Sequence, residues 1–204
     1  MNNFTLTTVS GLKVDPLNLT EDVVNIYDIA TSLSKISRFL GHTRLFYSVG
    51  NHSILCAYEA YIKSYSIVVI LLALLRDATE AYLLDIPTPL KPRVMFKVMS
   101  NGEETFVNYE TKEAEAFSII LSKYRILDII TDENLKILKE IDRSLLELEI
   151  GRLRPGNLVP NKVETPFVIR SSEETEKTFQ NIFETLLYLK KNAPMTGLRH
   201  KLTV

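Results

Sequence analysis

The sequence predicts an all-α fold in a single domain, and three observations carry that expectation. Apolar residues recur at the three- and four-residue spacing of helices along most of the chain. No repeat, linker or low-complexity tract divides it. Its 204 residues and 46% hydrophobic content suit one ordinary core, since a domain holds about 100–200 residues. A chain of that size buries about 70% of the surface its unfolded form exposes, so it needs no staples.

The elements follow in order. Residues 4–16 read as irregular or short-stranded, with Phe4-Thr5-Leu6-Thr7 alternating before Gly11 and Pro16. From Asp28 the pattern turns helical, with Ile29, Leu33 and Ile36 on one face and a stop expected near Leu40-Gly41. Gly41 to Arg44 reads as a loop. Ser48 offers an N-cap for a helix to about Lys63, with Val49, Leu55, Cys56 and Ile62 as buried candidates. A long helix is expected from Tyr65 to Leu84, apolar all round in its first half and so central to the core. Pro87, Pro89 and Pro92 stop it.

Residues 102–123 read as helix, with Phe106, Tyr109, Phe117 and Ile120 as expected core. Thr131 or Asp132 caps another helix, on which Leu138, Ile141, Leu145 and Leu148 share a face. Arg154, Pro155, Gly156 and Pro160 mark a loop. The last helix opens on a capping box, Ser171-x-x-Glu174, and carries Phe179, Phe183, Leu186 and Leu187. The core is expected over about 17–190, with the tail 194–204 frayed.

Composition excludes several classes of function. Lys and Arg number 24 against 25 Asp and Glu, a formal net charge of -1. That balance carries no excess for a polyanion, so nucleic acid is not an expected partner. Cys56 is the single cysteine. It excludes an intramolecular disulfide and a thiolate zinc cluster, and its apolar neighbours suggest small core filling rather than a nucleophile. The N-terminus has neither a basic start nor an apolar h-region, so no secretory signal is expected. The most apolar stretch, Ile67 to Leu75, is far shorter than the roughly 20 residues a bilayer span requires. A cytoplasmic protein is the expectation.

The useful signal is a polar residue where periodicity wants an apolar one. His52 lies between Val49 and Leu55 on the inner half of its helix. Arg76-Asp77 follows Leu74-Leu75 in the most hydrophobic helix. Asp142 sits between Ile141 and Leu145 on a buried stripe. A buried carboxylate is costly unless it is paired or bound to a metal. Two aspartates and a histidine from three helices therefore suggest convergence on a cation. Glu80 lies one turn beyond Asp77, and Asp85 just past the helix end. Each residue also has a structural explanation: an inward histidine as a hydrogen-bonded core residue, and Arg-Asp as an ion pair.

These residues sit in longer matching text. The runs are Asp28-Ile29-Ala30-Thr31-Ser32-Leu33-Ser34, Arg38-Phe39-Leu40-Gly41-His42-Thr43 and Phe46-Tyr47-Ser48-Val49-Gly50-Asn51-His52-Ser53. Leu74-Leu75-Arg76-Asp77-Ala78-Thr79-Glu80-Ala81-Tyr82-Leu83-Leu84-Asp85-Ile86-Pro87 and Asp142-Arg143-Ser144-Leu145-Leu146 complete the set. Over residues 10–155 the chain resembles the HD-domain phosphohydrolases, in the branch of bacterial 5′-deoxynucleotidases and viral deoxynucleoside triphosphohydrolases. Beyond residue 155 the resemblance is much weaker.

The resemblance implies an HD-domain helical bundle and metal-dependent hydrolysis of a small (deoxy)nucleotide, mono- or triphosphate. It implies a divalent ion (Mn, Co, Zn, Fe or Mg) on His52, Asp77 and Asp142, with Arg76 at the position of a further histidine ligand. Glu80 matches the acid near the attacking water, Arg38 a residue that meets the phosphate, and Asp85 an acid near sugar and phosphate. His42 lies in the Gly-His loop and is placed to reach the same cleft. Family members commonly form dimers. A homodimer is accordingly expected, with the long apolar helix and the Phe179/Phe183/Leu187 face as places to look.

The chain departs from the family where the His-Asp pair is Arg76-Asp77. Arginine is permanently cationic, offers only donors and cannot ligate a metal. Four readings stay open: a weaker metal and slow turnover; Arg76 in the cation position of a nucleotide-binding or regulatory protein without hydrolysis; an arginine that silences an ordinary enzyme; or a fold serving an unrelated role.

Overall fold

The structure is a computed structural model that describes residues 5–100, 103–154 and 166–192. The loop expected at 155–160 and the tail at 194–204 lie outside the described residues. The chain is mostly helical, and four strands form two small antiparallel ribbons beside the helices. The first ribbon pairs β1 (Leu6–Thr7) with β2 (Lys13–Val14), as the short-stranded start suggested.

Helix starts are set by local chemistry. α1 (Ile26–Leu33) is capped by Asn25, whose side chain accepts from the Tyr27 amide. α2 (Val49–Ile62) is capped by Ser48, which accepts from the Asn51 amide. α3 (Ile67–Leu75) is capped by Ser66, and the single turn α4 (Glu80–Leu83) follows it. α5 (Tyr109–Lys123) is capped by Asn108, and α6 (Asp132–Leu153) by a reciprocal Thr131/Asn134 box. α7 (Ser172–Asn192) opens on the expected exchange: the Ser171 amide donates to Glu174, and the Glu174 amide to Ser171 Oγ. Each such cap satisfies amides that the first helical turn leaves unpaired.

α2 and α3 lie at the centre, with α6 and α7 packed against both and α1 against α2 and α7. The apolar run of α3 is buried from Val69 to Leu75. On α6, Leu138, Ile141, Leu145 and Leu148 are all buried, as their spacing predicted. At Gly50 the helices touch: an added Cβ would sit 2.9 Å from Thr175 Cγ2 and 3.1 Å from the Leu33 carbonyl carbon. Phe179, Phe183 and the face of α3 are consumed by this core. They are not free as dimer surfaces.

Three boundaries differ from the sequence reading. α1 ends at Leu33 rather than near Gly41. Ser34 Oγ donates to the Thr31 carbonyl, and residues 36–38 then pair with 47–49 through Arg38 N to Tyr47 O and Val49 N to Ile36 O. The helix expected over 65–84 breaks after Leu75, where tight turns (Ala78 N to Leu75 O, Glu80 N to Asp77 O) carry the chain to α4. In the segment expected as helix from Gly102, the described residues Glu103–Asn108 are instead strand. β3 (Met95–Ser100) pairs with β4 (Glu103–Asn108), Phe96 opposite Val107. Phe96 packs on Tyr109 from this ribbon, while Phe106 points outward and is 63% exposed. Phe106 is therefore not core, and Ile62, at 37% exposure, is not buried either.

Candidate functional site

The polar seam between α2, the α3–α4 junction and α6 gathers most of the residues singled out from sequence. α2 supplies His52, one turn from its cap and 1% exposed. The break after Leu75 supplies Arg76, Asp77 and Glu80. Because helix is interrupted there, consecutive Arg76 and Asp77 meet one another and both reach the seam: Arg76 Nη1 lies 2.7 Å from Asp77 Oδ1 and 2.7 Å from Asp142 Oδ1. Asp142 comes from α6. Seven residues later, two turns on, the same helix adds Glu149.

His52 is enclosed by acids. Its Nε2 is 3.2 Å from Asp142 Oδ1 and 3.4 Å from Asp77 Oδ2. Its Nδ1 is 2.5 Å from Glu149 Oε1, which also accepts from Tyr47 Oη at 2.6 Å. Burial and the Arg38 charge push the imidazole down, but Cys56, Glu149 and Asp142 outweigh them, and it is held well above its ordinary value. A carboxylate thus faces each ring nitrogen, the setting that favours the charged form of an imidazole.

Arg38 enters from the loop after α1 and is 8% exposed. Its terminal nitrogens lie 3.2 Å from Glu149 Oε2 and 3.6 Å from Asp77 Oδ2. Burial pushes Arg38 and Arg76 toward neutrality, yet their carboxylates more than compensate and both stay cationic. Burial raises Asp77, Asp142 and Glu149, and the cations overturn it. Asp77 is lowered by Arg76, His52 and Arg38; Glu149 by His52 and Arg38. Asp142 falls to about 2 through its hydrogen bond with His52 and the Arg76 charge. Three cations thus face three carboxylates.

Glu80 behaves differently. It is 3% exposed, its Oε2 has no hydrogen-bond partner, and unlike Asp77 and Glu149, each of which also has one oxygen without a hydrogen bond, it makes no ion pair among the described residues. Burial, with Asp77 and Asp85 beside it, pushes its carboxyl well above the usual range. Asp85 is half-buried and raised by the same burial, against the Arg38 charge. His42 stands apart from these contacts on the exposed part of its loop.

Two of the residues that would hold a divalent ion, Asp77 and Asp142, are engaged with a guanidinium: Arg76 Nη1 lies 2.7 Å from an oxygen of each, and arginine itself cannot ligate a metal. Among the described residues no group of three His, Cys, Asp or Glu is set to hold a metal.

Glu149 and Tyr47 were not singled out from sequence, although Glu149 carries a readable signal. It follows Leu148 on the buried stripe as Asp142 follows Ile141. Tyr47 gives no such signal, because a buried tyrosine is ordinary core. Cys56 is buried as expected, with Sγ 3.4 Å from His52 Nε2 and its thiol pushed up by burial.

No family model matches the chain. Over 77 residues it is 47% identical to the uncharacterized protein YfdR of Escherichia coli (strain K12). The match covers 38% of this chain and 39% of that protein, so the aligned part spans about two fifths of the relative's length. No helix among the described residues is long and apolar enough to cross a membrane.

Proposed function

We propose that the chain is an HD-type helical domain that binds the phosphate end of a small (deoxy)nucleotide without hydrolysing it. In this reading Arg76 stands in for the cation that the family holds as a metal. One observation carries it: the charge-balanced network in which Arg76 Nη1 lies 2.7 Å from both Asp77 and Asp142. A guanidinium there neutralises the two carboxylates as a divalent ion would, but it offers no open coordination position to activate water.

A second reading is metal-dependent phosphohydrolysis, and Glu80 favours it. A buried carboxyl with a free oxygen and a raised pKa is the kind of group that takes part in proton transfer.

The wild-type protein and Arg76→His are compared for bound manganese and for phosphate released from a panel of deoxynucleoside mono- and triphosphates. The binding reading expects nucleotide binding, no stoichiometric manganese and no release from the wild type. Manganese at one per chain with release from the wild type replaces it by the hydrolase. No nucleotide bound by either form removes both.

A further inference from the structure

We propose that Arg154, not Arg38, is the residue that receives a phosphate monoester, over the Phe39 ring beside this site; this rests on the nucleotide-binding reading above. Three cations around the seam are already engaged: Arg38, Arg76 and Lys91. Arg38 holds Glu149 and Asp77 with its terminal nitrogens, and Arg76 holds Asp77 and Asp142. Drawing either toward a phosphate would strip a buried carboxylate of its partner, which is costly. Lys91 is paired with Glu113 at 2.7 Å and lies over the Tyr109 ring.

Arg154 is not so committed. It ends α6, five residues after Glu149, and makes no ion pair among the described residues. Its guanidinium lies 4.6 Å from the centroid of the Phe39 ring, the ring that Arg38 also covers at 5.3 Å. Its Nε, like that of Arg38, is shielded from solvent and has no hydrogen-bond partner, but its terminal nitrogens, unlike those of Arg38, make no ion pair among the described residues. The Arg44 amide donates to the Leu153 carbonyl, which fixes the end of α6 against the loop that carries Arg38.

That loop is held in a costly shape. Phe39, Leu40 and Gly41 take successive positive φ of 57°, 54° and 76°. Two of the three bear side chains, for which the left-handed region is unfavourable. The result is an aromatic platform beside the sealed network, carrying one planar cation that makes no ion pair among the described residues. A guanidinium in that setting suits the paired oxygens of a phosphate monoester.

The test measures binding of the four deoxynucleoside monophosphates, the parent deoxynucleosides and inorganic phosphate by calorimetry. The full chain is compared with Arg154→Gln, Arg154→Lys and, as a charge-loss control, Arg125→Gln at an exposed arginine without an ion pair among the described residues. Arg154→Gln is expected to weaken monophosphate and inorganic phosphate by about tenfold or more, the scale of one charge-assisted contact. Nucleoside binding and the thermal midpoint should not move, and Arg125→Gln should match the wild type. Arg154→Lys keeps charge and stem and covers the case where the glutamine variant does not fold. It is expected to bind phosphate more weakly than the wild type. Wild-type monophosphate affinity in both Arg154 variants overturns this assignment and leaves the nucleotide reading intact. A wild type that binds none of the monophosphates overturns both.

Discussion

The two ends of the polar seam are built from the same residue type and reach opposite states. At the α6 end, Glu149 is fully buried, and both its oxygens face donors from His52, Tyr47 and Arg38. It is held ionised. At the α4 end, Glu80 is almost as deeply buried, but burial and the charges of Asp77 and Asp85 outweigh Arg38 and Lys91, and it is pushed toward the neutral acid. Burial penalises the two alike, so the difference comes from the supply of cations. Arg38, His52 and Arg76 are used up by Glu149, Asp77 and Asp142. The seam is electrostatically closed at one end and open to protonation at the other.

The largest effect that can break this picture comes from the closed end. Glu149→Ala leaves the buried Arg38 and His52 short of a carboxylate and Tyr47 without an acceptor. A loss of about 3–5 kcal/mol is expected, the usual result of removing one side of a buried charge pair. Urea unfolding measures it. A loss below about 1 kcal/mol, the scale of an exposed pair, would mean that the network is solvated rather than sealed.

Asp142 joins the two ends, since it meets both Arg76 and His52. Its carboxyl is lowered from 3.8 to about 2. A depressed folded value stabilises above the unfolded one, so its contribution is complete above about pH 4 and is lost as pH falls toward 2. It amounts to about 2 kcal/mol at neutral pH. Asp142→Asn is expected to remove that amount at pH 7 and to flatten the acid limb of the stability profile. An acid limb that keeps its slope would show that other carboxylates set it.

Tyr47→Phe is a finer probe. It deletes one hydrogen bond to a charged acceptor and leaves the ring and its stacking on Phe167 in place. A loss of about 1.5–3 kcal/mol is expected if the bond is as buried as the geometry indicates. A neutral substitution would mean that His52 and Arg38 suffice to hold Glu149.

The helical core was legible because its signals are local. Ser48, Thr131 and Ser171 announce helix starts, and the α6 stripe Leu138, Ile141, Leu145, Leu148 repeats without interruption. The break at Arg76 was not legible, since Leu74-Leu75 and Ala81 continue a helical pattern straight through it. The bend follows from where Arg76 and Asp77 find partners, and those lie on other helices. The β3–β4 ribbon was missed for a different reason. Gly102 was read as the start of a helix, although the alternation of Phe96 and Val98 against exposed Met95, Lys97 and Met99 is that of a half-buried strand. Phe39 and Leu40 are residue types that rarely adopt the left-handed region, so the sequence gave no warning of that loop's shape. The candidate site was legible as far as His52, Asp77, Glu80 and Asp142. What sequence could not supply was the direction of Arg76, which decides between a ligand shell and an ion pair.

The smallest effect tests the open end, and its sign is opposite to that of Asp142. Glu80 has a folded value raised above the unfolded 4.5. Its protonated form is favoured in the native state, so its contribution is fully present below about pH 4.5 and is lost as pH rises through the folded value. Glu80→Gln keeps the shape and the neutral charge at every pH. At pH 4 the variant should match the wild type to within about 0.5 kcal/mol, as a near-isosteric change without a lost partner. Toward pH 8 the wild type must either keep a proton on Glu80 or bury a third acid beside Asp77 and Asp85. The variant carries neither cost, and its advantage should grow with pH. His52 also loses stabilisation as pH rises, since its folded value is raised, but it does so in both proteins and cancels in the difference. Urea midpoints at pH 4, 6 and 8 decide the matter. Parallel profiles would mean that Glu80 titrates alike in the folded and unfolded chain, so that burial and its acidic neighbours are offset; a profile that diverges upward with pH fixes the open end of the seam as the place where a proton, rather than a side-chain cation, offsets the carboxylate.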